Sequence, residues 1–131
     1  MADPLTWGNP EKQLLRWLIA HTTSSVYTQT PGDLVAHLPA LKVERVGGSR
    51  INDHTRDVYF EIEVFASTRG AMWDAVSELE YCMRELSANG TADWYVDNIT
   101  EVFSAAVIPY ENPGICRATS TYVVALRPRI K

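Results

Sequence analysis

Two stretches with the period of a β-strand lie on either side of a polar segment of eleven residues. Apolar side chains alternate with polar or aromatic ones over residues 58–66, and residues 41–46 alternate in the same way. A period of two predicts strands that are buried on one face. Because a tight hairpin needs only about two to five connecting residues, the segment 47–57 is predicted to be a long polar loop with a role beyond joining the strands.

Two helices are predicted from caps and from apolar spacing. Asn9-Pro10 is a typical helix start, and apolar residues then recur at helical spacing through residue 21. Residues 68–86 form the clearer helix, which Asn89-Gly90 is expected to end. Its predicted buried stripe consists of Trp73, Val76, Leu79, Met83 and Leu86.

The rest of the chain is predicted to be β. Residues 94–103 are expected to form one kinked strand or two short ones, residues 108–114 a turn, and residues 115–127 a long closing strand. The order α-β-β-α-β-β predicts an α+β fold, a two-layer sandwich in which two main helices cover one face of a mainly antiparallel sheet of about four strands. We expect a single domain over residues 1–131.

Composition narrows the classes of function. The chain carries a formal charge of −4, with 46% apolar and 21% charged residues, as in ordinary globular proteins. An acidic balance argues against a protein whose main task is to bind phosphate backbones. No window approaches the roughly 18 uncharged apolar residues of a membrane span, and the N-terminus does not resemble a secretion signal.

No arrangement of residues typical of catalysis, cofactor binding or metal binding is apparent. His21, His37 and His54 fall on unrelated segments, and the latter is flanked by acids in the polar loop. Glu61 and Glu63 share one side of a strand and can in principle hold a divalent cation, but without further oxygen ligands we interpret them as a solvated or interfacial face. Two cysteines, at positions 82 and 116, are expected to be buried and reduced. We expect neither an enzyme nor a cofactor.

The outer face of the predicted sheet is more apolar than is expected of a face exposed to solvent. The closing strand is apolar on both faces in its second half, and aromatic residues accompany the glutamates of residues 58–66. Such residues are either scattered surface aromatics without a role or a contact with a neighbouring subunit. On the second interpretation the sheet interface comprises Tyr59, Glu61, Glu63, Phe65, Val123, Ala125 and Arg127.

The polar loop is predicted to be a second interface, either with another copy of the chain or with a different partner. It carries both signs of charge, which suits a rim contact that becomes ordered on assembly and equally suits a charged lumen wall. Its residues are Gly47, Gly48, Ser49, Arg50, Ile51, Asn52, Asp53, His54, Thr55, Arg56 and Asp57.

Four strings, in this order and spacing, resemble a known family. They are VERVGG (43–48), EIEVFASTRGAMWDAV (61–76), IPYENPGICR (108–117) and TYVVALRP (121–128). Together they resemble the tail terminator (tail completion) proteins of long-tailed bacteriophages, especially those of actinobacterial hosts.

The resemblance implies a hexameric ring in the virion, at the head-proximal end of the tail tube. Such a ring is assembled in the host cytoplasm, ends tube polymerisation and joins the tail to the head. The implied partners are further copies of the chain, the tail tube protein and the head or neck connector proteins. DNA is expected to pass through the lumen without specific binding.

Two alternatives remain open on sequence grounds. A head-completion or stopper protein of the neck has a similar size and style. A small α/β enzyme or ligand-binding domain, using Trp73, Tyr81 or the region of His54, belongs to a different class and requires a deep pocket with convergent polar groups.

Overall fold

The protein has an α+β fold in which two helices lie on one face of a five-stranded mixed sheet. The structure is a computed structural model, and it describes residues 5–89 and 94–130. The predicted fold class is confirmed, whereas the predicted sheet of about four mainly antiparallel strands is wrong in strand count and in order.

All six predicted elements occur, but short strands are added at both ends and between the first helix and the first long strand, so the order differs from the predicted α-β-β-α-β-β. A short 3₁₀ helix, Leu34–His37, precedes β3. The remaining elements are β1 (Leu5–Thr6), α1 (Pro10–His21), β2 (Ser25–Tyr27), β3 (Ala40–Asn52), β4 (Thr55–Ala66), α2 (Arg69–Asn89), β5 (Tyr95–Ile108), β6 (Cys116–Arg127) and β7 (Arg129–Ile130).

The main sheet has the strand order β2-β3-β4-β6-β5. β2 runs parallel to β3 and pairs with it only at residues 40–42, whereas the other neighbours are antiparallel. β2 was not predicted as a strand of the sheet because three residues are too few to display a period. β1 and β7 form a separate two-stranded sheet.

Both helices begin at side-chain caps. The Asn9 side chain accepts a hydrogen bond from Lys12 N at 3.2 Å, and α1 spans the predicted residues. The Thr68 hydroxyl accepts from Ala71 N at 3.1 Å at the start of α2, which continues to Asn89. The predicted stop at Asn89-Gly90 reaches beyond the described residues.

The main core lies between the helices and the sheet. The even-numbered residues of β4 and β6 point into it, together with one stripe of each helix. Four of the five residues predicted for the α2 stripe are buried. The prediction for Trp73 is wrong, because this residue is 36% exposed. Met72 occupies the buried position instead, and the indole of Trp17 donates to Cys82 O at 3.0 Å across the helix pair.

The predicted loop 47–57 is wrong, because these residues extend both strands. Pairing of β3 with β4 continues from Gly47↔Tyr59 to Asn52↔Thr55, so that only Asp53 and His54 form the turn. β6 flanks β4 as far as Arg56. Residues 47–57 therefore form the paired ends of β3 and β4 with a two-residue turn, and they are not a long loop.

Gly48 shows why the extended hairpin needs glycine. Its φ is +156°, and a Cβ added there would collide with the carbonyl oxygen of Asp57 in the paired strand. We expect Gly48→Ala to destabilise the protein by about 1–3 kcal/mol, as measured by urea unfolding. Gly32→Ala is the matched control, because nothing lies within 4 Å of the added Cβ. Equal effects of the two changes would contradict this role for Gly48.

Candidate functional site

The outer face of the sheet is the side turned away from the helices, and most of the predicted interface residues lie on it. Tyr59 pairs with Val123, which pairs with Thr100 on β5. The next row joins Glu61, Thr121 and Phe103 in the same way. Both described helices pack on the opposite face, so these two rows of aromatic, aliphatic and polar side chains are left uncovered by them.

Of the predicted sheet-interface residues, six share this outer face at least partly exposed. They are Tyr59, Glu61, Glu63, Val123, Ala125 and Arg127. The prediction that Phe65 lies on the open surface is wrong, since its side chain is only 2% exposed. A second small core covers it, made by the 3₁₀ segment and the 108–115 turn, and Tyr110 contacts its ring edge-to-face at 5.3 Å.

Glu63 is held by two cations of its own chain. Arg117 lies 3.4 Å from it and Lys42 lies 3.9 Å from it, and the carboxylate is largely buried between them. This arrangement anchors one end of the outer face. Over residues 5–89 and 94–130 the structure contains no group of three or more His, Cys, Asp or Glu side chains placed to hold a metal ion.

β5 is a surface feature that the sequence analysis did not single out. It is an edge strand of 14 residues, and its large exposed side chains include Phe103 at 68% and Tyr95 at 51%, with Val102 and Val107 also exposed. Its outer edge pairs with no strand in the part of the chain that the structure describes. A long apolar edge is a template for another strand.

Apolar residues mark β5 in the sequence, but bulges in the strand obscure their period. The register of β5 against β6 shifts around Asp97, Val102 and residues 104–105. Each shift breaks the alternation of apolar and polar residues, so residues 95–108 do not display one clean period. The length of the strand could be inferred from its lack of Gly and Pro, but its place at the edge depends on tertiary pairing.

The opposite side of the sheet presents a second free edge. β2 covers β3 only as far as Lys42, and residues 44–52 are exposed. The backbone N–H of Arg45 donates to the Glu11 carboxylate of α1 at 3.0 Å. The N–H of Arg45 therefore points away from the paired strand β4, and the Glu11 side chain occupies the position of a missing strand there.

The two free edges differ in charge: residues 44–52 contain Arg45, Arg50 and one acid, Glu44, which pairs with Lys42 at 3.4 Å. Arg45, Arg50 and Arg56 lie close enough together that burial first, and then the other two guanidinium groups, lower the pKa of Arg56. The guanidinium of Arg56 also lies 4.6 Å from the centre of the Trp7 ring. β5, by contrast, carries two acids, Asp97 and Glu101, and no basic residue.

The two charged groups nearest the strand ends already have partners on their own chain. Asp97 pairs with Arg127 at 3.3 Å, and Arg50 pairs with Asp53 at 3.5 Å. All four side chains are substantially exposed, so these pairs contribute little to stability. Their charges remain available to attract or repel an incoming surface.

The depressions of the surface are open to solvent. One, of about 670 Å³, lies between residues 30–36 and the turn at residues 110–115. Another, of about 390 Å³, lies between α2 and β5 beside Tyr122. Trp73, Tyr81 and His54, the residues of the enzyme or ligand-binding alternative, line neither of them.

Two buried acidic groups of the core predict a loss of stability in alkali. Burial, with Glu101 and Glu80 nearby, raises the pKa of Tyr122 above its ordinary 10.0. Burial also raises the pKa of the Cys82 thiol above 9.0. Because each group ionises more readily in the unfolded chain, its stabilisation is complete below those ordinary values and is lost as the pH rises above them.

We therefore expect the urea midpoint to fall between about pH 9 and about pH 11. Tyr122→Phe should flatten the decline above about pH 10, whereas Tyr81→Phe, on the exposed side of α2, should leave it unchanged. If the urea midpoint of Tyr122→Phe fell with pH as steeply as that of the wild type, the decline would not come from Tyr122. Cys82 should also resist alkylation in the folded protein at about pH 8.

Comparison with known proteins does not assign the chain to a family. No protein-family profile matches the chain, and a search of curated proteins found no match. Within the described residues, neither helix is long and apolar enough to cross a membrane.

Proposed function

We propose that this protein is a structural virion protein that forms a ring at the head-proximal end of a phage tail tube. There it ends tube polymerisation and joins the tail to the head or neck. The resemblance of residues 43–48, 61–76, 108–117 and 121–128 to tail terminator proteins motivates the proposal. One observation carries it furthest: a single sheet presents a free edge on each side and an uncovered, partly aromatic outer face.

Two different free edges favour a ring. When surfaces on opposite sides of a subunit meet head to tail, repeated rotation closes them into a cycle or continues them into a filament. A closed cycle uses every edge and leaves no exposed template for further strands. The hexamer is the copy number that the family resemblance implies.

The charge of the chain suits a ring through which DNA passes. Each phosphate that a protein neutralises with Lys or Arg strengthens its binding to DNA, and this chain has 12 such residues against 16 acids. Weak, non-specific contact lets the genome move through the lumen. The proposed partners are further copies of this chain, the tail tube protein and the head or neck connector proteins, with no cofactor.

The test is genetic and uses the phage that encodes the chain. Loss of a tail terminator should give tails of uncontrolled length and heads without tails, and resupplying the wild-type protein should restore both. Loss of a head-completion or stopper protein should leave tails of normal length that fail to join. Virions of normal length and normal joining in the absence of the protein would contradict both roles.

A further inference from the structure

Within residues 5–89 and 94–130 the sheet has two edges that pair with no strand, and their alignment is fixed by the register of the strands between them. Arg45 pairs with Phe60, Phe60 with Tyr122, and Tyr122 with Glu101. Arg45 and Glu101 thus lie at one level on opposite sides of the sheet, and their side chains point to the same face. One row of the sheet ends in a cation at one edge and in an anion at the other.

A second row, four residues further along β4 towards the hairpin tip, again begins with a cation on the β3 edge. Arg50 pairs with Arg56, Arg56 with Leu126, and Leu126 with Val96. The residue after Val96 is Asp97, which bulges out of register with β6. The edge formed by residues 44–52 is therefore basic at the levels where β5 is acidic.

Strand direction is also compatible with joining these edges. β3, β4, β6 and β5 alternate in direction, so β5 runs opposite to β3. Rotation about an axis parallel to the strands keeps the direction of each strand. It therefore brings β3 of one copy beside β5 of the next in an antiparallel orientation, with the two rows at matching heights.

We infer that residues 44–50 of one copy pair with residues 95–103 of the next, so that the sheet continues from subunit to subunit around the ring. Arg45 then faces Glu101 of its neighbour, and Arg50 lies at the level of Asp97 of its neighbour. The exposed side chains of Val46 and Phe103 lose solvent contact at the same junction. This inference depends on the ring of the proposed function, and it assigns the strands that build the ring.

Charge argues against the two-fold alternatives. Joining two β5 edges about a two-fold axis brings Glu101 and Asp97 of one copy towards the same acids of the other. Joining two β3 edges does the same with Arg45 and Arg50. Like charges opposite each other on neighbouring strands are destabilising, whereas opposite charges are stabilising.

The junction has one identifiable cost. In the isolated chain the Arg45 N–H donates to the Glu11 carboxylate. An arriving strand must replace that acceptor with a backbone carbonyl, which is the exchange expected when a side chain caps an edge reversibly. Because one hydrogen bond replaces another, the net change at this position is small.

The experiment is charge reversal followed by mixing. Arg45→Glu places acid against acid at every junction of a pure ring, and Glu101→Arg places base against base. Each should weaken self-association by roughly fivefold to thirtyfold per junction, as measured by sedimentation velocity and native mass spectrometry. Asp74→Arg, on the exposed side of α2 in the helix layer, is the matched control and should assemble normally.

Mixing the two variants in equal amounts gives the sharpest prediction. In an alternating ring, Arg at position 101 meets Glu at position 45 at one junction, and the wild-type pair meets at the next. The mixture should therefore recover rings that neither variant forms alone. Amide hydrogen exchange should also slow along residues 44–50 and 95–103 when wild-type rings form.

Four results would overturn the inference. They are intact rings from either variant alone, no recovery on mixing, rings in which neither edge gains exchange protection, and two-fold dimers joined through β5. In the first three cases a wild-type ring still supports the proposed function. A wild-type protein that stays monomeric at every concentration removes the ring itself, and with it both the proposed function and this junction.

Discussion

Replacing Phe60 by Ala is expected to lower the free energy of unfolding by about 3–5 kcal/mol. Phe60 lies on the central strand β4, is fully buried and faces the main core between the helices and the sheet. Truncation removes most of a ring from a site whose walls are formed by two sheet neighbours and cannot collapse freely. Since small domains unfold at about 5–15 kcal/mol, this single change consumes a large share of the stability.

Trp73→Ala is the matched comparison, because it removes an even larger aromatic side chain from α2. With Trp73 36% exposed and Arg69 6.0 Å from the centre of its ring, we expect a cost of no more than about 1.5 kcal/mol. Both variants are measured by urea unfolding with far-UV circular dichroism, at low protein concentration so that assembly does not add apparent stability. Equal costs, or a larger cost for Trp73, would contradict the placement of the core.

Shortening the β3–β4 hairpin is expected to abolish assembly while leaving the monomer folded. The change replaces Arg50–Arg56 with Asn-Gly, which joins the paired residues Ser49 and Asp57 through a two-residue turn. It removes the tip, Arg50 of the β3 edge and Arg56 of β4, but leaves the rows below Ser49 intact. Loss of Arg56 also removes its pairing with Leu126 and its contact with Trp7, so we expect a cost of about 1–2 kcal/mol.

The control for this variant keeps the length of the hairpin. Replacing only Asp53-His54 with Asn-Gly changes the turn but preserves the edge and its arginines, so rings should form as in the wild type. Circular dichroism and sedimentation velocity are compared for both variants. Rings from the shortened variant, of the wild-type size, would show that the hairpin end has no part in assembly.

Local signals were sufficient to predict the helices and most of the central strands. The Asn9-Pro10 cap and the apolar spacing that follows predict α1 correctly, and the stripe of α2 correctly identifies Val76, Leu79, Met83 and Leu86 as buried. Each of these depends on neighbours within one or two turns of the same helix. The strong alternation of residues 58–66 likewise predicts the core face of β4.

The features that escaped prediction depend on contacts between distant segments. The hairpin of residues 47–57 has a polar composition because both faces and one edge are exposed there, and its pairing cannot be read from such a composition. Phe65 alternates with buried residues, yet the segments 34–38 and 110–115 cover it from the other side. Trp73 fits the helical period, but Met72 takes the buried position beside it.

The candidate site was predicted in part for the same reason. Tyr59, Val123 and Ala125 share the outer face as the strand period requires, because alternation alone decides which face a residue occupies. The two free edges depend on the strand order β2-β3-β4-β6-β5, in which β2 pairs only with residues 40–42 of β3. In that order, residues 47–52 of the predicted polar loop belong to an edge of the sheet.

Native mass spectrometry of the purified wild-type chain over a wide concentration range tests the central claim most directly. We expect a closed oligomer of one copy number, six by resemblance to the tail terminators, in equilibrium with monomer and without a dominant dimer. Averaged negative-stain images of the same sample should show rings. A chain that remains monomeric at the highest concentration would contradict the account, because both strand edges and the outer face would then have no partner in a second copy.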